Sequence, residues 1–202
     1  TNQVQIVACG TSYNAGLVAK YWIEDIAKIP CNVEVASEYR YRRPILLDKT
    51  LFITLSQSGE TADTFEALKT SKKINSNINT LCITNSAESS LSRISDLTFL
   101  THAGPEIGVA STKAFTTQLV ALALLTCSIG KLKNTINKKQ EKEIVDGLKR
   151  LPGLINEALL QEMQIKKLAL RFKDKKSALF LGRGTMHAIA MEGALKLKEI
   201  SY

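Results

Sequence analysis

The 202-residue sequence lacks the features that define membrane proteins, disulfide-stabilised secreted proteins and metal-binding proteins. Its longest uninterrupted apolar run, Leu119 to Leu125, is far shorter than the roughly 18 residues that span a bilayer. The four cysteines form no Cys-x-x-Cys pair and only two histidines are present, so we expect no metal site. Isolated thiols of this kind are typical of a reducing compartment, and we expect a cytoplasmic protein.

An excess of charge of one sign is also missing from most of the chain, although the formal net charge is +8 at pH 7. Basic and acidic residues balance over residues 1–130, and the basic excess lies in the lysine-rich stretch 131–176. Aromatic residues make up only 6% of the chain, and no nucleic-acid-binding motif accompanies the lysines. The lysines therefore indicate a solvated helical surface, and we expect neither a nucleic-acid partner nor a membrane partner.

Short apolar runs alternate with helical patterns over residues 1–130. This alternation predicts an α/β domain, a doubly wound parallel sheet with helices on both faces. Residues 131–176 predict an amphipathic helical connector with a break between two helices at Pro152–Gly153. The predicted strands are Val4–Cys9, Asn32–Ala36, Leu51–Leu55, Asn79–Thr84 and Leu97–Leu100.

Residues 177–202 repeat the opening of the chain. Residues Ile6–Thr11 align with Phe180–Thr185, and each segment predicts a strand, a Gly-Thr turn and a helix. A lone strand and helix cannot bury a core, so we expect residues 177–202 to begin a second, truncated α/β domain.

Two of the predicted strands are followed by turns rich in hydroxyl groups, Gly10–Ser12 and Ser56–Thr61. Free backbone N–H groups and the positive end of a helix dipole meet at such turns, which suits a phosphate group. Ligands of open parallel sheets bind at this edge. The glycine patterns of nucleotide-binding loops are missing, which favours a monophosphate. Serine and threonine are also ordinary helix caps, so capping stays open as an alternative.

A third pattern lies near the end of the sequence. Glu192, Lys196 and Glu199 are spaced to share one face of a helix. Two interpretations are open: an exposed intrahelical ion pair, or a buried and functional group of charges. Leu195 and Met191 flank the charged face, so we expect much of the helix to be buried. A separate apolar stripe consists of Met186, Ala190, Gly193, Leu197 and Ile200.

Four segments of the sequence resemble known families: Cys9–Ser12, Ser56–Thr61, Glu106–Gln118 and Glu192–Tyr202. The serine-rich turn is typical of the sugar isomerase (SIS) family in general. The two longer segments closely resemble the glutamine–fructose-6-phosphate aminotransferase (isomerizing) family, which makes glucosamine 6-phosphate from fructose 6-phosphate and glutamine. The resemblance covers essentially the whole chain.

This resemblance implies a five-stranded SIS-type α/β fold and a set of site residues. Glu199 is implied as the base that moves a proton between adjacent sugar carbons, and Lys196 as the residue that assists proton movement on the sugar oxygens. Glu192 is implied to support them. The implied sugar-phosphate-binding residues are Cys9, Thr11, Ser12, Ser56, Gln57, Ser58, Thr61, Val109 and Ser111.

The resemblance also implies partners. The ligand would be fructose 6-phosphate, glucosamine 6-phosphate or glucose 6-phosphate, with no cofactor, and a glutaminase domain would supply ammonia to a homodimer. The family's ring-opening histidine and Schiff-base lysine lie beyond Tyr202 in its pattern, so we expect this chain alone to be inactive and His102 and His187 to be structural. The alternatives are a sugar-phosphate sensor without catalysis and a simple aldose–ketose isomerase.

Overall fold

A computed structural model describes residues 1–201 of the chain. These residues form one five-stranded sheet, built from β1 (Gln3–Ala8), β2 (Cys31–Val35), β3 (Thr50–Leu55), β4 (Asn79–Thr84) and β5 (Leu97–Leu100). The strand order is β2-β1-β3-β4-β5, and every strand is parallel to its neighbours. The predicted fold class is therefore confirmed, and each strand lies within one residue of its predicted bounds.

The helices follow the strands as the alternating pattern predicts, except that the helix between β2 and β3 was not predicted. The first helix continues into a π-helical turn at Ile23–Ala27, and a short 3-10 turn occupies Leu170–Phe172. The α-helices are α1 (Gly10–Trp22), α2 (Ala36–Tyr41), α3 (Ala62–Ile74), α4 (Ser90–Ile94), α5 (Lys113–Leu132), α6 (Lys138–Leu159), α7 (Glu162–Ala169) and α8 (Thr185–Ser201).

The central strands are buried on both faces of the sheet. In β1, Ile6 belongs to an apolar cluster shared with α1 and α5, whereas Val7 belongs to a cluster shared with α2, α3 and α4. In β3, Ile53 and Phe52 divide between the same two clusters. Because successive side chains of a strand point to opposite faces, a strand covered on both sides is apolar at most of its positions. This burial on both sides explains the near-continuous apolar runs of the sequence.

The register of the sheet brings two hydroxyl-rich turns side by side. Ala8, the last residue of β1, pairs with Leu55, the last residue of β3. From this central pair the sheet extends to β2 on one side and to β4 on the other. This is a topological switch point, where a crevice opens outside the carboxyl ends of the strands. The turns that follow β1 and β3 are the walls of that crevice.

Helix α5 carries the longest apolar run of the sequence, Leu119–Leu125, which by itself is too short for a membrane span. Within residues 1–201, α5 is the one helix that is long and apolar enough to cross a membrane by length and composition, with a mean hydropathy of 1.4 in its most apolar window. The same composition is expected of a helix that packs on a central sheet. Phe115, Ala121 and Leu122 of α5 belong to the apolar cluster beneath α1.

The predicted break at Pro152–Gly153 is wrong. Helix α6 runs from Lys138 to Leu159 with Pro152 inside it, and the chain turns at Gln161 before α7 begins. A proline within a helix costs about 3 kcal/mol because its nitrogen cannot donate and its ring crowds the preceding turn. The other hydrogen bonds of the long helix and the capping box at Asn137 outweigh this local cost.

The repeat predicts a strand near the start of residues 177–202, and this strand is not observed: residues 177–183 have no regular secondary structure. A strand forms only beside a hydrogen-bonded neighbour, and within residues 1–201 the only sheet is the one described above. The helix of the repeat, α8, is present and packs on α1. The boundaries at residues 130 and 176 stay predictions.

The apolar stripe of α8 is mostly exposed, contrary to prediction. Met186, Leu197 and Ile200 lie on the surface, and Ile200 is 72% exposed. The face that packs on α1 carries Glu192 instead, which is 5% exposed. Glu192 is buried where α1 offers polar partners for its carboxylate, whereas Lys196 is half-buried and Glu199 is exposed.

Candidate functional site

A cavity of about 210 Å³ lies at the carboxyl edge of β1 and β3, at the switch point. Its walls come from the first turn of α1, the turn after β3, the loop before α5, and α8. The lining includes both predicted catalytic residues and five of the predicted binding residues. The lining residues are Thr11, Ser12, Gln57, Glu106, Gly108, Val109, Ser111, Ala114, Lys196 and Glu199.

Buried Glu192 fastens α8 to the first helix. The hydroxyl of Thr11 donates to Glu192 Oε1 at 2.9 Å, and Asn14 Nδ2 donates to Oε2 at 2.8 Å. Both carboxylate oxygens are therefore hydrogen-bonded, which is what burial of a charged group requires. Asn14 was not among the predicted site residues, because it carries no motif signal and contacts Glu192 only through the fold.

Lys196 joins the rest of the charged stripe into one network. Its Nζ donates to Thr11 Oγ1 at 3.0 Å and lies 3.4 Å from Glu192 Oε1 and 2.6 Å from Glu199 Oε2. The side chain of Lys196 is 18% exposed, so these contacts are partly shielded from solvent. The geometry supports the buried alternative for Glu192 and Lys196, whereas Glu199 is paired with Lys196 but stays accessible to solvent. A carboxylate and an ammonium group thus stand together at the cavity wall.

The turn after β3 is held by its own hydroxyl groups. Ser56 Oγ accepts from the backbone N–H of Gly59 at 3.0 Å and lies 2.9 Å from Thr61 Oγ1. Ser58 Oγ accepts from the N–H of Glu60 at 3.1 Å, and its own proton is free for a ligand. Ser56 is buried, Ser58 is exposed and Thr61 is half-buried. Of this turn only Gln57 lines the cavity.

Gly59 lets this turn approach α4. Its φ is +70°, and a Cβ at this position would lie 2.1 Å from Ser89 Oγ. The turn is also tied to α4 by Glu60, whose Oε1 accepts from the N–H of Ser90 at 2.8 Å. Hydrogen bonds from the side chain of Ser90 and then from its backbone N–H lower the pKa of Glu60 below its usual value. The sequence pattern contained no signal for this contact between two loops.

The loop before α5 brings a carboxylate into the cavity. Glu106 accepts hydrogen bonds from the hydroxyl of Ser111 and, at 3.2 Å, from the N–H of Gly108. The bond from Ser111 is the main cause of a pKa of Glu106 below its usual value. A charged carboxylate repels phosphate, so an anionic group fits better at the end formed by Ser12 and Gln57.

Four predicted binding residues lie outside the cavity lining: Cys9, Ser56, Ser58 and Thr61. Cys9 is at the N-cap position of α1 and packs beside the cluster that contains Val7. Val109 lines the cavity but is 96% exposed, so this wall is open to solvent. The side-chain roles assigned to these residues stay predictions.

The buried thiols of the sheet are poor nucleophiles. Burial raises the pKa of Cys31 to about 12 and that of Cys82 to about 11, which keeps both protonated at neutral pH. Among residues 1–201, no group of three or more His, Cys, Asp and Glu side chains is arranged to hold a metal ion. The chemistry available at the cavity is that of hydroxyl, amide, ammonium and carboxylate groups.

An open parallel sheet with a polar cavity at its switch point defines this molecule as an α/β domain of the doubly wound class. A model of the SIS domain family matches residues 1–128. The chain therefore belongs to the SIS domain family, as the sequence resemblance predicted.

Curated relatives make the family assignment more specific. The chain is 58% identical over 199 residues to the glutamine–fructose-6-phosphate aminotransferase (isomerizing) of Pseudomonas putida, covering 98% of the chain and 32% of that relative. It thus spans about a third of the length of the curated relatives it matches. The predicted resemblance is confirmed: the chain corresponds to the SIS region of these aminotransferases.

Solved structures agree with this assignment. The chain superposes on the C-terminal domain of glucosamine-fructose-6-phosphate aminotransferase from Francisella tularensis with a TM-score of 0.97 and 56% identity. The match covers all of this chain and 57% of the other chain. The chain also matches glucosamine-6-phosphate deaminase from Thermotoga maritima, with a TM-score of 0.80 and 28% identity, over 99% of this chain and 58% of the other.

Proposed function

We propose that this chain binds the phosphate ester of a hexose and carries part of the site that converts fructose 6-phosphate and glutamine to glucosamine 6-phosphate and glutamate. The main support is the juxtaposition, around one cavity, of hydroxyl-rich helix N-termini and the Lys196–Glu199 pair. The names of the aminotransferase relatives agree with this chemistry.

The phosphate group would bind at the N-termini of α1 and α3. Both are 13-residue helices, and each contributes the positive end of its dipole and unpaired backbone N–H groups. Ser12, Gln57 and the free hydroxyl proton of Ser58 would donate to the phosphate oxygens. Ser56 and Thr61 would keep the turn in shape and complete the donor set.

The sugar carbons would lie toward α8. Glu199 would act as the base that takes a proton from one carbon and returns it to its neighbour, which interconverts a ketose and an aldose derivative. Lys196, fixed by Thr11 and Glu192, would stabilise charge on the sugar oxygens during that transfer. A sensor that binds without turnover would need only the phosphate end, so the Lys196–Glu199 pair favours an enzyme.

The complete reaction would need more than the SIS region, since the chain spans about a third of the length of the aminotransferases it matches. Ammonia would come from a glutaminase domain, and the working protein would be a cytoplasmic homodimer that uses no organic cofactor. We expect the 202-residue chain alone to bind fructose 6-phosphate, glucosamine 6-phosphate or glucose 6-phosphate without converting them.

Calorimetric titration with fructose 6-phosphate tests the binding step. Ser58→Ala removes a donor to a doubly charged group, so its affinity is expected to fall about 10-fold or more. Ser128→Ala is a matched control, because the hydroxyl of Ser128 bonds to Leu124 O within α5, away from the cavity. Equal affinities of Ser58→Ala and the control would overturn the proposed phosphate site.

A further inference from the structure

Gln118 is a buried polar residue. The sequence motifs predicted no role for its side chain, and it does not line the cavity. It lies on α5, is 1% exposed, and its Nε2 donates to Ser12 Oγ at 2.9 Å. Its other amide atom, Oε1, is buried and has no hydrogen-bond partner among residues 1–201. A buried acceptor without a partner costs about 1–3 kcal/mol. Methionine could fill similar space without that cost, so the contact with Ser12 distinguishes glutamine from an apolar residue.

The direction of this hydrogen bond determines what Ser12 offers to the cavity. A serine hydroxyl has one proton to donate and two lone pairs that accept. Because Ser12 accepts the Gln118 amide proton, its own proton stays free, and among residues 1–201 the structure gives Ser12 no other side-chain hydrogen bond. Ser12 lines the cavity at the N-terminus of α1. The free proton is therefore available to an acceptor bound there.

The opposite amide orientation would have the opposite effect. Ser12 would then donate its proton to Gln118 Oε1 and would present only lone pairs to the cavity. Lone pairs repel the oxygens of a phosphate group, whereas a hydroxyl proton binds them. The observed orientation leaves Oε1 unpaired yet makes Ser12 a donor at the end of the cavity that suits an anion.

We infer that Gln118 is a positioning residue that commits the Ser12 hydroxyl to donate to the phosphate group of the sugar ligand. This inference rests on the proposed function, because it takes a hexose phosphate as the ligand. Gln118 itself does not contact the ligand. It acts through Ser12, from the opposite side of the cavity wall.

A double-mutant cycle on Ser12 and Gln118 tests this role. The variants are Gln118→Met, Ser12→Ala and the pair together, and the probes are inorganic phosphate and fructose 6-phosphate titrated by calorimetry. Gln118→Met leaves Ser12 free to rotate, so both affinities are expected to fall by roughly 3- to 10-fold. Against the Ser12→Ala background, the same change should have less than a twofold effect, because the donor that Gln118 positions is already absent.

Two further measurements separate positioning from a merely structural role. Urea unfolding should show that Gln118→Met is as stable as the wild type or more so, because the substitution removes an unpaired acceptor. In the full-length enzyme, Gln118→Met should raise KM for fructose 6-phosphate and leave kcat within about twofold, since phosphate binding is remote from proton transfer. Gln164→Met on the exposed helix α7 is the control and should change none of these values.

The possible failures are distinguishable. If the wild-type protein binds neither probe, the proposed function fails. If the wild type binds and Ser12→Ala weakens binding, but Gln118→Met has no effect or the same effect in both backgrounds, the positioning role alone is overturned.

Discussion

Thr11 and Glu192, which are 181 positions apart in the sequence, are joined by a hydrogen bond of 2.9 Å. The same Thr11 hydroxyl accepts from Lys196 at 3.0 Å, so it donates to the carboxylate while accepting from the ammonium group. This arrangement connects the turn after β1 to the helix that carries Glu199. The position of the proposed base therefore depends on a long-range polar contact.

The first prediction concerns the attachment of α8. Glu192→Ala removes a buried carboxylate and leaves the Asn14 amide unpaired, so it should destabilise the packing of α8 on α1 by about 3–5 kcal/mol. Hydrogen exchange of the α8 amides should become correspondingly faster. Glu143→Ala breaks an exposed Lys139–Glu143 pair at 4.0 Å and should cost no more than about 0.5 kcal/mol. Unchanged exchange in α8 would show that Glu192 does not hold the helix.

The second prediction concerns the serine-rich turn. Gly59→Ala places a side chain at φ +70°, where the left-handed backbone costs about 1–2 kcal/mol, and against the hydroxyl of Ser89. We expect urea unfolding to show a loss of at least that size and fructose 6-phosphate binding to weaken, because the turn must shift. Gly147→Ala in α6 meets no atom within 4 Å and should stabilise by roughly 0.5–1 kcal/mol. A fully stable Gly59→Ala variant would contradict the required close approach.

The third prediction separates chemistry from binding. In the full-length enzyme, Glu199→Gln keeps the shape of the side chain but removes the base, so kcat should fall by about 100- to 10,000-fold. Affinity for fructose 6-phosphate should change little, because in the proposed arrangement Glu199 contacts the sugar carbons and not the phosphate group. Lys198→Met changes a charged residue of the same helix outside the network and serves as control. Near-normal glucosamine 6-phosphate production by Glu199→Gln would exclude Glu199 as the base.

The fourth prediction concerns acid stability. Desolvation raises the pKa of Asp96, but hydrogen bonds from Lys72 and Thr80 outweigh it, so the pKa lies below its usual value. A carboxyl with a lowered folded-state pKa stabilises the fold above its unfolded pKa of about 4, and this stabilisation is lost as the pH falls through the folded-state value.

The test is the pH dependence of unfolding. Asp96→Asn should be less stable than the wild type at pH 7, and the difference should shrink as the pH falls below about 4. Asp25→Asn alters an exposed pair with Lys28 and should show little difference at any pH. If the stability difference between Asp96→Asn and the wild type stayed constant down to pH 2, the titration of Asp96 would not contribute to acid stability.

The strands and turns could be predicted because their signals are local. Short runs rich in apolar and β-branched residues made Asn79–Thr84 and Leu97–Leu100 predictable to the residue, although β5 is an edge strand whose first two residues are exposed. Helix α2 was missed because it has only six residues and owes its place to the burial of Ala36 and Tyr39. Pro152 misled the prediction because local propensity does not measure the stability of a long helix.

The site was only partly predictable for a similar reason. Periodicity identified the face shared by Glu192, Lys196 and Glu199, but it could not determine whether that face or the apolar stripe would be buried. That choice depends on what α1 presents to α8, namely Thr11 and Asn14. Gln118 and Glu106 lie inside a recognised motif, yet only their spatial neighbours reveal what their side chains do.

The amino-acid order alone determined the alternation of strands and helices, the two hydroxyl-rich turns and the family, since each depends on residues close together in the chain. The tertiary structure alone decided which face of α8 is buried, which way the Ser12 hydroxyl donates, and where a carboxylate enters the cavity. The first two features depend on pairings between residues more than a hundred positions apart, Thr11 with Glu192 and Ser12 with Gln118, whose free energies arise only when burial removes water from both partners. The third depends on where the fold places the loop before α5, within which Glu106 is held by Gly108 and Ser111.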